Sequence, residues 1–273
     1  MRRSILLSLM LLLLLASLVV KAQPITRVYR PDSRPPHVVF MHGLEGRGTR
    51  LDVLGHAIGG DCAEADPTLA SAWVSTTHDR NQAEGFAEGL LRALEGTHPN
   101  PVVWLYTIRA DNTYMVLERL LRQAIREGEM GSNTYTADHA RVLRWLIART
   151  SIGVENEVIT HYVDRTNIVE AVPLRYVGDT LVEGLPMRNA AYLAANTEAD
   201  SQVQTLAAFV PPASIRMDLY EGDRASRDSC SMSCDSSRSS SPSLLAATSP
   251  PTGHCSAYRA RLLTPVLRFL LLS

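Results

Sequence analysis

Two glutamates one residue apart, Glu155 and Glu157, are the side chains in this sequence best suited to act together on a substrate. Their neighbours Val154, Val158 and Ile159 are β-branched, which predicts the start of a strand. Residues i and i+2 of an extended chain project to the same side, so we expect both carboxylates to face one cleft.

The spacing alone is weak evidence. The chain has 28 acidic residues among 273, and about three carboxylate-x-carboxylate triplets are expected by chance; five occur. Residues upstream distinguish this pair. Arg30 ends an extended segment and offers a rigid guanidinium to a phosphate or carboxylate. Ser75 begins a run of three hydroxyls, and His56 lies in the last turn of a short expected helix, although each has an ordinary structural explanation.

Hydrophobic periodicity predicts the elements that must position these residues. Strands are expected at residues 25–30, 38–43, 72–77, 102–108, 154–159 and 168–176, and helices at 51–58, 82–94, 115–127 and 137–149. Strands and helices without regular βαβ alternation favour an α+β fold. The sequence contains no G-x-G-x-x-G and no phosphate loop, so any dinucleotide is not held as in a Rossmann domain.

The first 22 residues have the features of a secretory signal peptide. Arg2 and Arg3 precede an apolar run at residues 5–20, and a small-residue cleavage site follows at Ala22. The alternative is an uncleaved membrane anchor, but the run is shorter than the ~20 residues that a spanning helix needs. We therefore expect a secreted protein whose mature form has no membrane span.

Charge and cysteine content limit the partners. A net charge of -1 and a pI near 6.7 give no electrostatic basis for binding nucleic acid. Four cysteines in an exported chain predict two disulfides, with three pairings open. A zinc site is disfavoured because Cys230 and Cys234 are one residue too far apart for the commonest ligand pair and no histidine pair follows. No metal is therefore expected.

Composition divides the rest of the chain into three parts. Residues 23–221 are long enough for one domain with a full core. Residues 222–256 are rich in Ser, Arg, Pro and Cys, which is typical of a flexible, exposed linker. Within it, Arg238 lies among serines, where proteases nick chains readily. Residues 257–273 form an apolar tail.

Several segments occur in a familiar order. They are residues 28–36, which match a Y-R-x-D-x-R-x-P strand, His56 six residues before Cys62, residues 74–77 (Val-Ser-Thr-Thr), residues 108–112 and Glu155-x-Glu157. Together they resemble the enzymatic A subunits of the pertussis and cholera toxin family of mono-ADP-ribosyltransferases. The resemblance implies an ADP-ribosyltransferase-type fold, in which small split β-sheets surround an NAD cleft and helices flank them.

The resemblance also implies NAD as substrate and a role for each residue. Breaking the bond between nicotinamide and ribose builds positive charge on the ribose, which Glu157 would stabilise while holding the ribose 2′-hydroxyl. Ser75 would hydrogen-bond Glu157, and His56 would orient the dinucleotide. Glu155 would receive the acceptor, as in family members that modify arginine. The implied NAD-binding residues are Arg30, which would grip a phosphate, and Asp32, Arg34 and Thr76.

Partners and disulfides follow from the same resemblance. ADP-ribose would pass to a host protein in the host cytosol, such as a G protein α subunit, with NAD hydrolysis as a side reaction. The disulfide pairs would be Cys62–Cys230 and Cys234–Cys255. Residues 257–273 would dock in a carrier oligomer.

Two other interpretations remain open. One is a catalytically decayed relative that keeps the fold as a secreted interaction module; the presence of Arg30, Ser75 and Glu157 argues against it. The other is a secreted α/β-hydrolase, because residues 38–43 look like a strand that runs into a His-Gly oxyanion loop. No glycine is followed two positions later by serine, so this interpretation lacks its nucleophile.

Overall fold

An antiparallel β-sheet carries the residues of interest in this computed structural model. The structure describes residues 23–58, 66–95, 97–149, 155–199 and 205–217. The expected signal peptide, all four cysteines and the segments 222–256 and 257–273 lie outside the described residues. The expectations about the leader, the disulfides, the nick site and the tail therefore remain predictions.

Ten strands are found among the described residues. They are β1 (Arg27–Asp32), β2 (Leu44–Glu45), β3 (Val74–Thr77), β4 (Val103–Arg109), β5 (Met115–Val116), β6 (Glu157–Thr160), β7 (Tyr162–Val163), β8 (Ile168–Val177), β9 (Thr180–Glu183) and β10 (Met187–Arg188). The main sheet has the order β10-β8-β4-β1-β3-β6-β5, with β9 also paired to β8, and β2 pairs with β7 in a small second sheet.

The main sheet is nearly divided between β1 and β3. These two strands share a single pair of residues, Tyr29 with Thr77, whereas β1 pairs with β4 along its whole length and β3 pairs with β6 along its own. The sheet is therefore two antiparallel halves that diverge from one contact. This agrees with the expectation of split sheets, and the α+β class is confirmed.

Six α-helices are described around the sheet. They are α1 (Pro36–His42), α2 (Val53–Ala57), α3 (Arg80–Glu95), α4 (Leu117–Glu129), α5 (Ala137–Arg149) and α6 (Leu206–Phe209), with 3-10 turns at Arg165–Asn167 and Pro212–Ser214. Apolar residues of α3 recur at helical spacing and pack on β4 and β8 in one cluster, which includes Ala83, Ala87, Leu90, Leu91, Val103, Leu105, Val172 and Leu174.

A second cluster lies between α2, α4, α5 and the segment 205–217. Leu54, Leu121, Leu143 and Leu206 are among its buried members. This packing sets the position of α2 against the sheet, and α2 carries His56. Asp52 caps α2 by accepting hydrogen bonds from the backbone N–H groups of Leu54 and Gly55.

The expected strand at residues 38–43 is wrong, because this segment is helix α1. Pro36 occupies a first-turn position, where its missing N–H costs no hydrogen bond. Pro36 and Val39 are the buried residues of the helix, and their spacing of three is helical. Gly43 ends the helix at φ 75°. The hydrolase interpretation loses the strand on which it depended.

Other elements follow the sequence closely, with shifts at their ends. Strand β1 continues through Pro31 to Asp32 rather than stopping at the proline. The helix expected from residue 115 begins at Leu117, because Met115 and Val116 instead pair with β6 as β5. Helix α5 has the expected bounds. Strand β9, which was not expected, returns from β8 through a two-residue turn whose Gly178 has φ 60°.

Candidate active site

Arg30 lies at the division of the sheet. It is fully buried and pairs with Tyr106 of β4, one residue beyond the contact between β1 and β3. Its Nη1 donates a 2.7 Å hydrogen bond to the main-chain carbonyl of Ser75. The guanidinium thus joins the two halves of the sheet where strand pairing has stopped.

Asp32 neutralises the buried cation of Arg30. Its Oδ2 lies 3.4 Å from Arg30 Nε and accepts a 2.6 Å hydrogen bond from Arg34 Nη2, while its Oδ1 accepts from Arg34 N and Nε at 2.9 Å each. Burial alone would raise the pKa of the Asp32 carboxyl. The hydrogen bonds from Arg34 and the charges of Arg30 and Arg34 outweigh burial and hold that pKa below its usual value.

His56 connects Ser75 with Glu157. Its Nε2 lies 2.8 Å from Ser75 Oγ and 3.3 Å from Glu157 Oε1. The residues come from three separate elements, α2, β3 and β6, and each is at most 6% exposed. On the other side of the ring, His56 Nδ1 lies 2.7 Å from Ser71 Oγ.

The family resemblance implied a direct hydrogen bond between Ser75 and Glu157, and the structure instead places His56 between them. In the register of β3 and β6, Glu157 is opposite Thr77 and Ser75 is opposite Ile159. Ser75 and Glu157 are therefore diagonal neighbours on one face, about 7–8 Å apart. That separation leaves room for an imidazole that contacts both.

Extended-chain spacing had predicted Glu155 and Glu157 in one strand, but Glu155 lies outside strand β6. It lies in a turn in which Asn156 has a left-handed φ of 51°, a conformation that asparagine tolerates better than most residues. The turn is fixed to the end of β3, because Thr77 Oγ1 donates to the carbonyl of Glu155 at 2.7 Å. Glu155 is half-buried, whereas Glu157, two residues further along the chain, is buried.

Thr76 supports the sheet. Its hydroxyl donates a 2.5 Å hydrogen bond to the carbonyl of Val158, and the residue is fully buried. Neighbouring residues of a strand point to opposite faces, so Thr76 faces away from the cluster of Ser75, His56 and Glu157. The expectation that Thr76 contacts NAD stays a prediction.

Sequence reasoning missed Ser71, and it gave Thr77 no role of its own. Ser71 contacts His56 across 15 residues of chain and Thr77 contacts Glu155 across 78, so no local spacing identifies either residue. Among the described residues, no group of three or more His, Cys, Asp or Glu is placed to hold a metal ion. In the same part of the chain, no helix is long and apolar enough to span a membrane.

The divided antiparallel sheet with its flanking helices fits the ADP-ribosyltransferase-type fold that the sequence led us to expect. Among solved structures, a nicked form of CARDS toxin matches with a TM-score of 0.53 at 20% identity, covering 67% of this chain and 34% of that one. Full-length CARDS toxin matches with a TM-score of 0.52 at 22% identity, covering 66% of this chain and 31% of that one. These likenesses concern the fold.

Sequence similarity is found to subunit 1 of pertussis toxins. Subunit 1 of pertussis toxin from Bordetella pertussis is 36% identical over 98 residues, which are 33% of this chain and 35% of that protein. Its homolog from Bordetella parapertussis is 37% identical over the same length. The match spans about a third of the length of these relatives, and no protein-family model matches the chain. The expected resemblance is confirmed: over these 98 residues the chain is similar to subunit 1 of pertussis toxin.

Proposed function

We propose that this protein is an NAD-dependent mono-ADP-ribosyltransferase that acts as the enzymatic subunit of a secreted toxin. The observation that carries the proposal is the buried contact of His56 Nε2 with both Ser75 and Glu157, beside the guanidinium of Arg30. A histidine, a hydroxyl and a carboxylate from three elements meet where the two halves of the sheet separate.

Glu157 would act when the bond between nicotinamide and the ribose anomeric carbon breaks. The bonding electrons leave with nicotinamide, and the ribose acquires oxocarbenium character. A carboxylate held in a largely water-excluded site stabilises that charge more in the transition state than in the ground state. Glu157 Oε1 is held near His56, and we assign Oε2 to the ribose 2′-hydroxyl.

The dinucleotide would be held by the arginines of β1 and the loop that follows. Arg30 is buried and engaged with Ser75 and Asp32, so its first role is to keep the two sheet halves in place. The Arg34 side chain is 34% exposed and is oriented by Asp32. We assign Arg34 to the outer phosphate contact and Arg30 to a contact behind it, with Asp32 fixing both.

The acceptor would be an arginine of a host protein, with a G protein α subunit as one target and water as the alternative acceptor in NAD hydrolysis. Glu155 supports this choice, because a half-buried carboxylate two residues from Glu157 matches a cationic guanidinium. Action on a host cell also requires export and delivery, for which the expected signal peptide, disulfides and carrier-docking tail are the proposed means.

Replacing Glu157 with glutamine tests the site at nearly constant shape. Release of nicotinamide from NAD should fall roughly 100- to 1000-fold, the cost of removing one preorganised transition-state contact. Glu198→Gln is the matched control, because Glu198 belongs to another carboxylate-x-carboxylate triplet and is exposed; its rate should be unchanged. Circular dichroism checks that both variants fold.

Two results would count against the proposal. If Glu157→Gln cleaves NAD as fast as the parent protein, the site is misassigned. If the parent protein itself cleaves no NAD with its disulfides reduced, the interpretation as a non-enzymatic secreted interaction module replaces this one.

A further inference from the structure

We propose that Ser71 is a positioning residue that fixes which nitrogen of His56 carries the proton, and thereby orients Glu157 for NAD cleavage. The inference rests on the proposed function for its catalytic consequence, but the hydrogen-bond arrangement stands on geometry. Ser71 is 5% exposed, and its Oγ lies 2.7 Å from His56 Nδ1.

A third partner leaves the proton of Ser71 available to His56. The backbone N–H of Trp73 donates to Ser71 Oγ at 3.1 Å. A hydroxyl has one proton and two acceptor positions, so Ser71 Oγ accepts from Trp73 and still has its own proton to donate to His56 Nδ1. A neutral imidazole that accepts at Nδ1 carries its proton at Nε2.

The opposite side of the ring favours that same tautomer, because a carboxylate oxygen only accepts. His56 Nε2 faces the carboxylate oxygen Glu157 Oε1 at 3.3 Å and the hydroxyl of Ser75 at 2.8 Å. An N–H at this position donates to the carboxylate, whereas a lone pair would repel it. Ser71 therefore selects the form of His56 that holds Glu157 in place.

The backbone of Ser71 is held from a second loop. Its carbonyl accepts a 2.9 Å hydrogen bond from Gly48 N–H, and the next residue, Ala72, donates to the carbonyl of Arg50 at 2.9 Å. A Cβ on Gly48 would lie 2.3 Å from the carbonyl oxygen of Ala70, so only glycine permits this approach. The hydroxyl of Ser71 is thus fixed in place.

The test compares Ser71→Ala with Ser71→Thr, which retains a hydroxyl. The tautomer of His56 is read from nitrogen-15 NMR of the protein labelled at histidine, without NAD. We expect one Nε2–H tautomer in the parent and in Ser71→Thr, and a mixture in Ser71→Ala. With NAD, kcat of Ser71→Ala should fall about 10-fold with KM within roughly twofold, because one hydrogen bond to a positioned group is lost.

The two measurements separate the inference from the proposed function. An unchanged tautomer in folded Ser71→Ala overturns the role of Ser71 whatever the activity. If the tautomer changes in Ser71→Ala but the parent protein cleaves no NAD, the hydrogen-bond arrangement is supported and the enzymatic proposal is refuted. If Ser71→Ala does not fold, Ser71→Cys is measured in its place. A thiol donates weakly, so a partial shift of tautomer supports the inference and none overturns it.

Discussion

Asp32 is the residue whose replacement tests most directly how the site is supported. In Asp32→Asn the carboxylate becomes a neutral amide of the same shape, and the buried Arg30 loses the negative charge of Asp32. Removing one partner of a buried ion pair costs about 3–5 kcal/mol. Asparagine can still accept from Arg34 N and Nε through its one remaining carbonyl oxygen. We therefore expect the free energy of unfolding to fall by about 3 kcal/mol, the lower end of that range. For a domain of this size the melting temperature should fall by roughly 6–12 °C.

The pH dependence of this loss distinguishes charge from packing. The pKa of Asp32 is depressed in the folded protein, so its stabilising contribution is complete above the unfolded value of about 3.9. It is lost as pH falls below that value and passes through the folded pKa, because the unfolded chain binds the proton first. The difference in unfolding free energy between parent and Asp32→Asn should therefore narrow steadily below about pH 4.

Urea unfolding at pH 7 and at a series of acidic pH values measures this difference. Asp179→Asn is the control, because Asp179 is exposed in the turn between β8 and β9; little change is expected. A difference in unfolding free energy between the parent and Asp32→Asn that stays constant with pH would refute the electrostatic argument. A difference near zero at pH 7 would show that Arg30 does not depend on Asp32.

Three further changes have expected outcomes. Glu155→Gln should abolish transfer to arginine while NAD hydrolysis is largely kept, because water needs the carboxylate less than a guanidinium does; equal loss in the two assays would assign Glu155 to NAD cleavage. Tyr135→Phe removes the 2.6 Å hydrogen bond to the carbonyl of Val210, and the free energy of unfolding should fall by about 1 kcal/mol. Burial raises the pKa of Tyr135 to about 12, so the parent should lose stability as pH rises above about 10. The variant, which has no phenol to ionise there, should lose less. Gly48→Ala should lower the free energy of unfolding by about 1–3 kcal/mol, because the added Cβ overlaps backbone carbonyls. Gly85→Ala in α3, where nothing lies within 4 Å of the added Cβ, should raise it by about 0.5–1 kcal/mol. Equal melting temperatures for these two variants would contradict the packing argument.

Sequence periodicity predicted the long elements well. Helices α3, α4 and α5 and strands β4 and β8 appear within a few residues of their expected bounds, because each buries an apolar face long enough to show its period. The strand predicted at residues 38–43 is wrong because a run of only six residues shows no clear hydrophobic period. There the geometry of Pro36, rather than side-chain pattern, determined the helix.

The site was predictable in its membership more than in its contacts. Arg30, His56, Ser75 and Glu157 were singled out from sequence, and the structure brings them together. The contact of Ser75 with His56 instead of Glu157 depends on strand register, which one residue of slip would reverse. The role of Ser71 depends on a loop that folds back across the chain, and no spacing in the sequence encodes it.

The division between β1 and β3 explains why these side chains lie where they do. A sheet that stops pairing leaves backbone groups without a strand partner, and buried backbone groups must be satisfied in some way. Here side chains serve that purpose: Arg30 donates to the carbonyl of Ser75 and Thr77 donates to the carbonyl of Glu155. The bond from Arg30 links the two halves of the sheet, whereas the bond from Thr77 lies within the half that β3 and β6 form. Helix α2 places His56 beside Ser75 and Glu157. Arg30 and Ser75 therefore both link the broken sheet and belong to the site that we propose for NAD cleavage. Variants that break the link between the two halves of the sheet should for that reason also slow NAD cleavage.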